Sequence, residues 1–341
     1  MIIPTIPTPD ELLDKGFRRA KKAANNVRTS KIPRHLKSKK IEEARITTAC
    51  QVVKEKLLMI LNRVPDIESL PEFYQDYIDI TVSVDKMKQS LGALNWAYGI
   101  ITQLEKDYTG KIRRSAPENA SNLQKQLYGR LASVVKKISE DLDFLDYGKA
   151  KLRNMPTINF EATTIVIAGF PNVGKSTLLR QVTDAEPRVA DYPFTTKGIQ
   201  IGHFERNWKH FQIIDTPGLL DRPIGKMNNI ELNAILALEH LADSILFIFD
   251  ISETSGYLLE NQENLLNEIN KIFKKEIIIV FNKIDLIENN EDKKETLKKY
   301  KEIYENTIEI SAFEGIKIEK IIERMEKVKK TGINTGNIDN V

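Results

Sequence analysis

The sequence predicts a chain of two parts: an antiparallel helical bundle over 1–156, then a mostly parallel sheet with helices on both faces over 157–330. Three observations carry that expectation. The first half repeats apolar residues in steps of three and four, the spacing of one helical face. The second half alternates short apolar runs with helical stretches, the pattern of strands joined by crossover helices. Between them, Asn154-Met155-Pro156-Thr157 interrupts both rhythms. The last stretch, 331–341, is rich in Gly and Asn and is expected to be a disordered tail.

The helices follow in order. Pro9-Asp10-Glu11 reads as a helix start, with the helix running to about Ala24. Asn25 to Arg34 is polar, contains Pro33 and reads as a connection. A long helix from about Ser38 to Arg63 places Ile46, Val53, Leu57, Ile60, Leu61 and Val64 on one face, and Pro65 ends it. Pro71 opens a short helix. Val84, Met87, Leu91, Leu94, Tyr98, Ile101 and Leu104 mark the next, with Trp96 and Tyr98 read as core. Leu123, Leu127, Leu131, Val135, Ile138, Leu142 and Leu145 continue one rhythm after Pro117. Long amphipathic helices with short connections pack as an antiparallel bundle.

In the second half, Thr164-Ile165-Val166-Ile167-Ala168 reads as a buried strand. It runs into Gly169-Phe170-Pro171-Asn172-Val173-Gly174-Lys175-Ser176, which fits G-x-x-x-x-G-K-[ST], and Thr177 onward reads as a helix start. Such a loop turns backbone N–H groups around an anion, and the helix N-terminus adds its positive dipole end. Lys175 is placed to reach β- and γ-phosphates, and the Ser176 hydroxyl to ligate Mg²⁺. The remaining loop residues, Phe170 to Gly174, and Thr177 complete the phosphate contacts.

Three later segments bear on the base. Ile199 to Phe204 and Trp208 to Ile214 read as an antiparallel hairpin, and Asp215-Thr216-Pro217-Gly218 follows it. An acid there holds Mg²⁺ through water, and a glycine N–H there meets a γ-phosphate. Asn282-Lys283-Ile284-Asp285 follows the apolar run Ile277 to Phe281. A carboxylate at Asp285 accepts from both N1–H and the 2-amino group of guanine, a donor pair that adenine lacks. Ser311-Ala312 follows Thr307 to Ile310 and offers a backbone N–H to the guanine O6.

With Ala190-Asp191-Tyr192-Pro193-Phe194-Thr195-Thr196 and Leu219 added, these motifs resemble the translation-factor-like GTPases of the Obg branch, a Ras-like P-loop fold. Together with the helical half, the chain looks most like an archaeal-type member of the nucleolar GTP-binding protein 1 (Nog) family. The resemblance implies that the second threonine of the pair, Thr196, ligates Mg²⁺ in the GTP state, with Thr195 as the fallback. Thr196 and Gly218 then sense the γ-phosphate beside Lys175. It implies GTP and GDP as ligands, hydrolysis of GTP, and a switch role in assembly of the large ribosomal subunit. Ribosomal RNA or an assembly intermediate is the expected partner. Many GTPases carry a glutamine after the second-switch glycine to orient water. This chain has Leu219, so intrinsic hydrolysis is expected to be slow unless another group or an activating partner helps. In related GTPases with Pro-Asn in the phosphate loop, the asparagine helps bind potassium, which Asn172 is expected to do or else merely to shape the loop. Eukaryotic members carry a long carboxy-terminal extension. The sequence ends at Val341, and functions tied to that extension are not expected here.

Bulk properties fit these expectations. The single cysteine, Cys50, excludes an internal disulfide and a cysteine metal cluster. No apolar run approaches the roughly eighteen residues of a membrane span, and the amino terminus lacks the layout of a secretory signal. A soluble cytoplasmic protein is expected. His35, His203, His210 and His240 have no metal-ligand spacing, and His35 is a candidate phosphate contact. Lys15 to Ile41 holds eleven Lys and Arg and no acid, against 40 basic and 48 acidic residues elsewhere. This basic arm suggests a polyanion partner, with Arg18, Arg19, Lys21, Lys22, Arg28, Lys31, Arg34 and Lys37 as RNA-binding candidates. Two alternatives remain open: a GTP-regulated protein-interaction module in stress or signalling, and a GTPase subunit of an RNA-modifying complex.

Overall fold

The computed structural model describes residues 4–330, apart from the side chains of Arg34, His35 and Lys226. The expected tail at 331–341, and the roles given to Arg34 and His35, lie outside the described residues. The described chain divides into two compact units, one of 4–69 with 81–153 and one of 70–80 with 154–330. The short segment 70–80, expected with the bundle, therefore packs with the sheet.

Six helices cover the first half: α1 (Pro9–Thr29), α2 (Arg34–Arg63), α3 (Glu72–Val82), α4 (Val84–Arg114), α5 (Ala120–Lys137) and α6 (Ser139–Leu152). Thr8 and Glu11 start α1 with reciprocal side-chain-to-backbone bonds at 3.3 and 3.0 Å, and Pro9 supplies a first residue that needs no N–H partner. The helix continues past Ala24 to Thr29, because Asn25 to Thr29 include no helix breaker. The break falls at Ser30 to Pro33, and α2 begins directly after the proline rather than at Ser38. The single rhythm from Leu123 to Leu145 is two helices, parted at Ile138 (φ −99°, ψ 16°). Ile138 is buried like its neighbours, so the apolar spacing runs across the break. Trp96 is a correction: it is 45% exposed, with Lys137 Nζ 5.8 Å from its ring centroid. The stripe of α4 instead runs through Met87, Leu94, Ala97 and Ile101. With Val53, Leu57 and Ile60 of α2 and Leu127, Leu131 and Val135 of α5, these side chains form the bundle core.

The second unit is built on a seven-stranded sheet. Its strands are β1 (Thr163–Ala168), β2 (Arg188–Ala190), β3 (Ile199–Arg206), β4 (Lys209–Asp215), β5 (Ser244–Asp250), β6 (Glu276–Asn282) and β7 (Ile308–Glu309). Between and after them run α7 (Lys175–Val182), α8 (Asn229–Leu241), α9 (Leu259–Ile272), α10 (Glu291–Ile303) and α11 (Ile318–Met325). The order is β2-β3-β4-β1-β5-β6-β7. Strands β4, β1, β5, β6 and β7 are mutually parallel, and β2 and β3 are joined antiparallel at one side. The hairpin turns at Asn207 (φ 49°) and Trp208 (φ 63°), two positive-φ residues that suit the twist of paired strands. Trp208 is thus a turn residue, 93% exposed, and β4 starts at Lys209.

Register places the functional ends together. Ile167 lies beside Asp215, and Asp250 beside Asn282. The carboxyl ends of parallel strands are where ligands of open α/β sheets bind. The segment 70–80 seals another part of this unit. The Tyr74 hydroxyl donates to the Pro156 carbonyl and accepts from Ile158 N–H, both at 3.1 Å.

Candidate functional site

The loop after β1 turns through Gly169 (φ 136°) and Gly174 (φ 105°), backbone conformations that side chains disfavour. Space forbids a side chain as well. A Cβ on Gly169 would stand 2.6 Å from the Ile248 carbonyl oxygen, and one on Gly174 would stand 2.2 Å from Asn282 Nδ2. Asn172 also sits at positive φ (63°), which Asn tolerates better than most residues. Lys175 opens α7 and folds back over the loop, its ammonium donating to the Gly169 and Phe170 carbonyls at 2.7 and 2.9 Å. Burial pushes this amine below the ordinary lysine value, while Asp215 and Asp221 oppose the shift. The Phe170 ring stacks on Tyr257 at 4.2 Å, so Phe170 gives the loop its backbone alone.

Behind the loop, the Ser176 hydroxyl donates to Asp215 Oδ2 at 2.8 Å. Asp215 has no solvent exposure. Burial raises its carboxyl above the usual range, against the pull of Lys175 and Ser176. Asp215 Oδ1 and Thr216 Oγ1 are buried with no hydrogen-bond partner. A buried carboxylate with one oxygen unengaged, beside a hydroxyl, fits a hard oxygen-seeking cation such as Mg²⁺. Among the described residues no group of three or more His, Cys, Asp and Glu could hold a metal by itself. That fits an ion whose remaining ligands come from phosphate and water. Ser176 and Asp215 would hold it, and it would offset phosphate charge.

The first-switch residues are less assembled. Thr196 is exposed, and no hydrogen bond joins it to Ser176 or Asp215. The Thr195 hydroxyl donates to the Tyr192 carbonyl at 2.8 Å. Tyr192 anchors the segment: it is buried, its hydroxyl donates to the Ala234 carbonyl at 2.8 Å, and its ring packs with Phe73 and Tyr77. Asp191 is structural, accepting from Asn154 Nδ2 at 2.9 Å. In the second switch, Gly218 N–H donates to Asp221 Oδ2 at 2.8 Å. The expected γ-phosphate donor is therefore engaged by a carboxylate that sequence reasoning passed over. Leu219 is fully buried and apolar, so its side chain offers no hydrogen bond with which to orient a water.

A cavity of about 410 Å³, the candidate base pocket, lies between this loop and the ends of β6 and β7, lined by Asn172, Thr177, Lys283, Asp285, Ala312 and Phe313, among others. Asn282 ties its walls together: Nδ2 donates to the Val173 carbonyl at 2.7 Å, and Oδ1 accepts Ala312 N–H at 2.9 Å. Lys283 is drawn along one wall by Asp250 Oδ2 and Thr254 Oγ1, at 2.8 and 2.9 Å. Burial alone would raise the Asp250 carboxyl, but hydrogen bonds from Lys283, Ser252 and Ser255 hold it below the usual range. Asp285 Oδ1 is buried with no hydrogen-bond partner. Ser311 N–H donates to the Ile316 carbonyl at 3.2 Å, and Ala312 N–H goes to Asn282. Both amides expected at guanine O6 are engaged within the protein, because the tight Ser311–Ile316 turn and the Asn282 bridge use them. Sequence reasoning also missed Asp250, although an acid closing the apolar run Ile245 to Phe249 was there to be read.

In the first unit, Arg18, Arg19, Lys21, Lys22, Arg28 and Lys31 are exposed, and Lys37 is half-buried. Among the described residues, no ion pair engages any of these side chains. Lys56 is pushed below the ordinary lysine value by burial, and then by Lys15, Arg63 and Lys149 nearby. His203, His210 and His240 contact Gln212, Glu205 and the Glu72–Asp76 pair, not one another.

A phosphate loop at the end of β1 and a base pocket ending in an unengaged acid define the second unit as a P-loop GTP-binding domain, joined here to a helical amino-terminal half. Family models agree, with residues 2–159 matching the NOG1 N-terminal helical domain and 164–283 matching the 50S ribosome-binding GTPase. An uncharacterized protein of Methanocaldococcus jannaschii is 44% identical over 84% of this chain and 81% of its own length. Nucleolar GTP-binding protein 1 of Eremothecium gossypii is 34% identical over 87% of this chain but 47% of its own length. A crystal structure of a nucleolar GTP-binding protein 1 from Plasmodium falciparum, 37% identical, covers 51% of this chain and 89% of that one, with a TM-score of 0.44. The chain belongs to the nucleolar GTP-binding protein 1 (Nog) family of GTPases, and it spans about half the length of the Eremothecium relative. Among the described residues, no helix is long and apolar enough to cross a membrane.

Proposed function

We propose that this chain is a guanine-nucleotide switch that hydrolyses GTP to GDP and phosphate and acts in assembly of the large ribosomal subunit, in the cytoplasm. The observation that carries the nucleotide reading is Asp285, whose buried Oδ1 has no partner and whose pocket is held open by Asn282 and Lys283. Guanine brings two donors to such an acceptor, and adenine brings none there. The loop amides of 170–174, Lys175 and Thr177 hold the phosphates. Ser176 binds Mg²⁺ directly and Asp215 through water. Thr196 and Gly218 report the γ-phosphate, so the switch segments order with GTP and relax after hydrolysis. With Leu219 buried, no water-orienting side chain stands at that place, and turnover is slow. Asn172 helps seat a potassium ion that speeds it, or a partner supplies the missing group. Asp285→Asn tests the base assignment: it should lose guanine affinity and gain xanthine affinity, because the amide donates to the O2 that replaces the amine. Guanine binding unchanged in that variant would refute it.

The ribosomal part of the proposal is supported by the unpaired cations of α1 and by what the relatives are named. Exposed Lys and Arg spread over a helix and its following turn meet phosphates rather than base edges, which favours shape over sequence. The full chain should bind structured ribosomal RNA with strong salt dependence. Replacing Arg18, Arg19, Lys21 and Lys22 by Gln should weaken binding and reduce the log–log salt slope by about 0.9 for each phosphate that is no longer neutralised. Fluorescence anisotropy across a salt series checks this. Identical affinity and slope would leave these cations as a solvated face and favour a protein partner.

A further inference from the structure

We propose that Asp221 sets the preference of this site between nucleoside di- and triphosphates, by occupying the Gly218 N–H until a γ-phosphate displaces it. The inference rests on the nucleotide reading above and adds a specificity-determining residue to it. The carboxylate accepts the Gly218 amide at 2.8 Å. Its position is imposed by the chain around it. Leu219 and Leu220 are both fully buried, which leaves neither free to swing. Leu219 N–H donates to the Thr216 carbonyl at 3.1 Å, and the Leu220 carbonyl accepts Gly169 N–H at 3.0 Å. The turn from Thr216 to Asp221 is thus clipped to the phosphate loop and returns the Asp221 side chain to the turn's own amide. The carboxylate is also close enough to Lys175 and Asp215 to act on both electrostatically.

A charged acceptor at this amide, within reach of Lys175, imitates what a terminal phosphate would present there. One N–H cannot serve both groups well, and two anions at one donor repel. A triphosphate must turn Asp221 out, whereas a diphosphate leaves the bond in place. Asp221 therefore taxes GTP and not GDP.

The test is the affinity of the full chain for GDP and for a non-hydrolysable GTP analogue, in wild type, Asp221→Ala and Asp221→Asn, with thermal melts alongside. Asp221→Ala should raise the triphosphate-to-diphosphate affinity ratio about ten-fold, equivalent to about 1.4 kcal/mol. Asp221→Asn keeps an acceptor without the charge and should fall between it and wild type. GDP affinity should stay close to wild type in both. Nucleotide binding with an unchanged ratio in the near-isosteric Asn variant overturns the proposal. A lowered melting temperature with that unchanged ratio also overturns it, and makes Asp221 a turn cap. Wild-type protein that binds neither nucleotide would refute the nucleotide reading, and this inference with it.

Discussion

Asn282 is a buried polar side chain that bridges two loops of the site, and its removal has a calculable consequence. It is 2% exposed and joins two loops that are 109 and 30 residues away in sequence. Asn282→Ala leaves the Val173 carbonyl and the Ala312 N–H without partners. A buried polar group left so costs about 1–3 kcal/mol. Local relaxation around the vacated space favours the lower half of that range for each group. The expected loss is about 2–4 kcal/mol, or about 4–16 °C in melting temperature at about 2–4 °C per kcal/mol for a domain of this size. Guanine-nucleotide affinity should fall with it, since the phosphate loop and the base loop are no longer tied. Asn282→Asp separates bonding from space filling. It keeps the acceptor for Ala312 but sets a second carboxylate oxygen against the Val173 carbonyl, and should do no better than Ala. Calorimetric melting and nucleotide titration of both variants are the assays. A loss below about 0.5 kcal/mol in both, with nucleotide affinity intact, would refute the reasoning.

Two further outcomes are expected. At fixed ionic strength, exchanging sodium for potassium should raise GTP turnover and Asn172→Ala should abolish the difference, whereas equal rates in the two salts would remove Asn172 from that role. Cys50 has no solvent exposure, and burial pushes its thiol up to about 12; it should resist iodoacetamide at about pH 8 in native protein and react in denaturant, and labelling of native protein at a free-thiol rate would contradict the packing of α2.

Most of the site was legible because its parts are local. The spacing from Gly169 to Ser176 requires a strand before it and a helix after it, and β1 and α7 supply them. Asp215 closes one apolar run and Asn282, three residues before Asp285, closes another, so strand ends could be read as site positions before any topology was known. The misses depend on contacts between distant segments. Nothing in Leu70 to Ile80 marks it as packing with 154–330, because an amphipathic helix suits either unit equally. The Ser311 and Ala312 amides were read as available, and only the Asn282 bridge and the turn to Ile316 show them engaged. Asp221 is one acid among many in sequence, and becomes notable only when the buried Leu219-Leu220 pair bends it back onto Gly218. The break at Ile138 was invisible because an apolar residue at helical spacing continues the rhythm across it.

The central claim is that Asp285 and its pocket read guanine. Isothermal titration calorimetry of the full chain with GDP and with ADP, both with Mg²⁺ present, tests it most directly. A site that leaves a buried carboxylate oxygen unpaired with the wrong base should discriminate by at least about a thousand-fold. The account predicts clear GDP binding and no measurable heat with ADP at the same concentrations. Comparable affinity for the two nucleotides would contradict it.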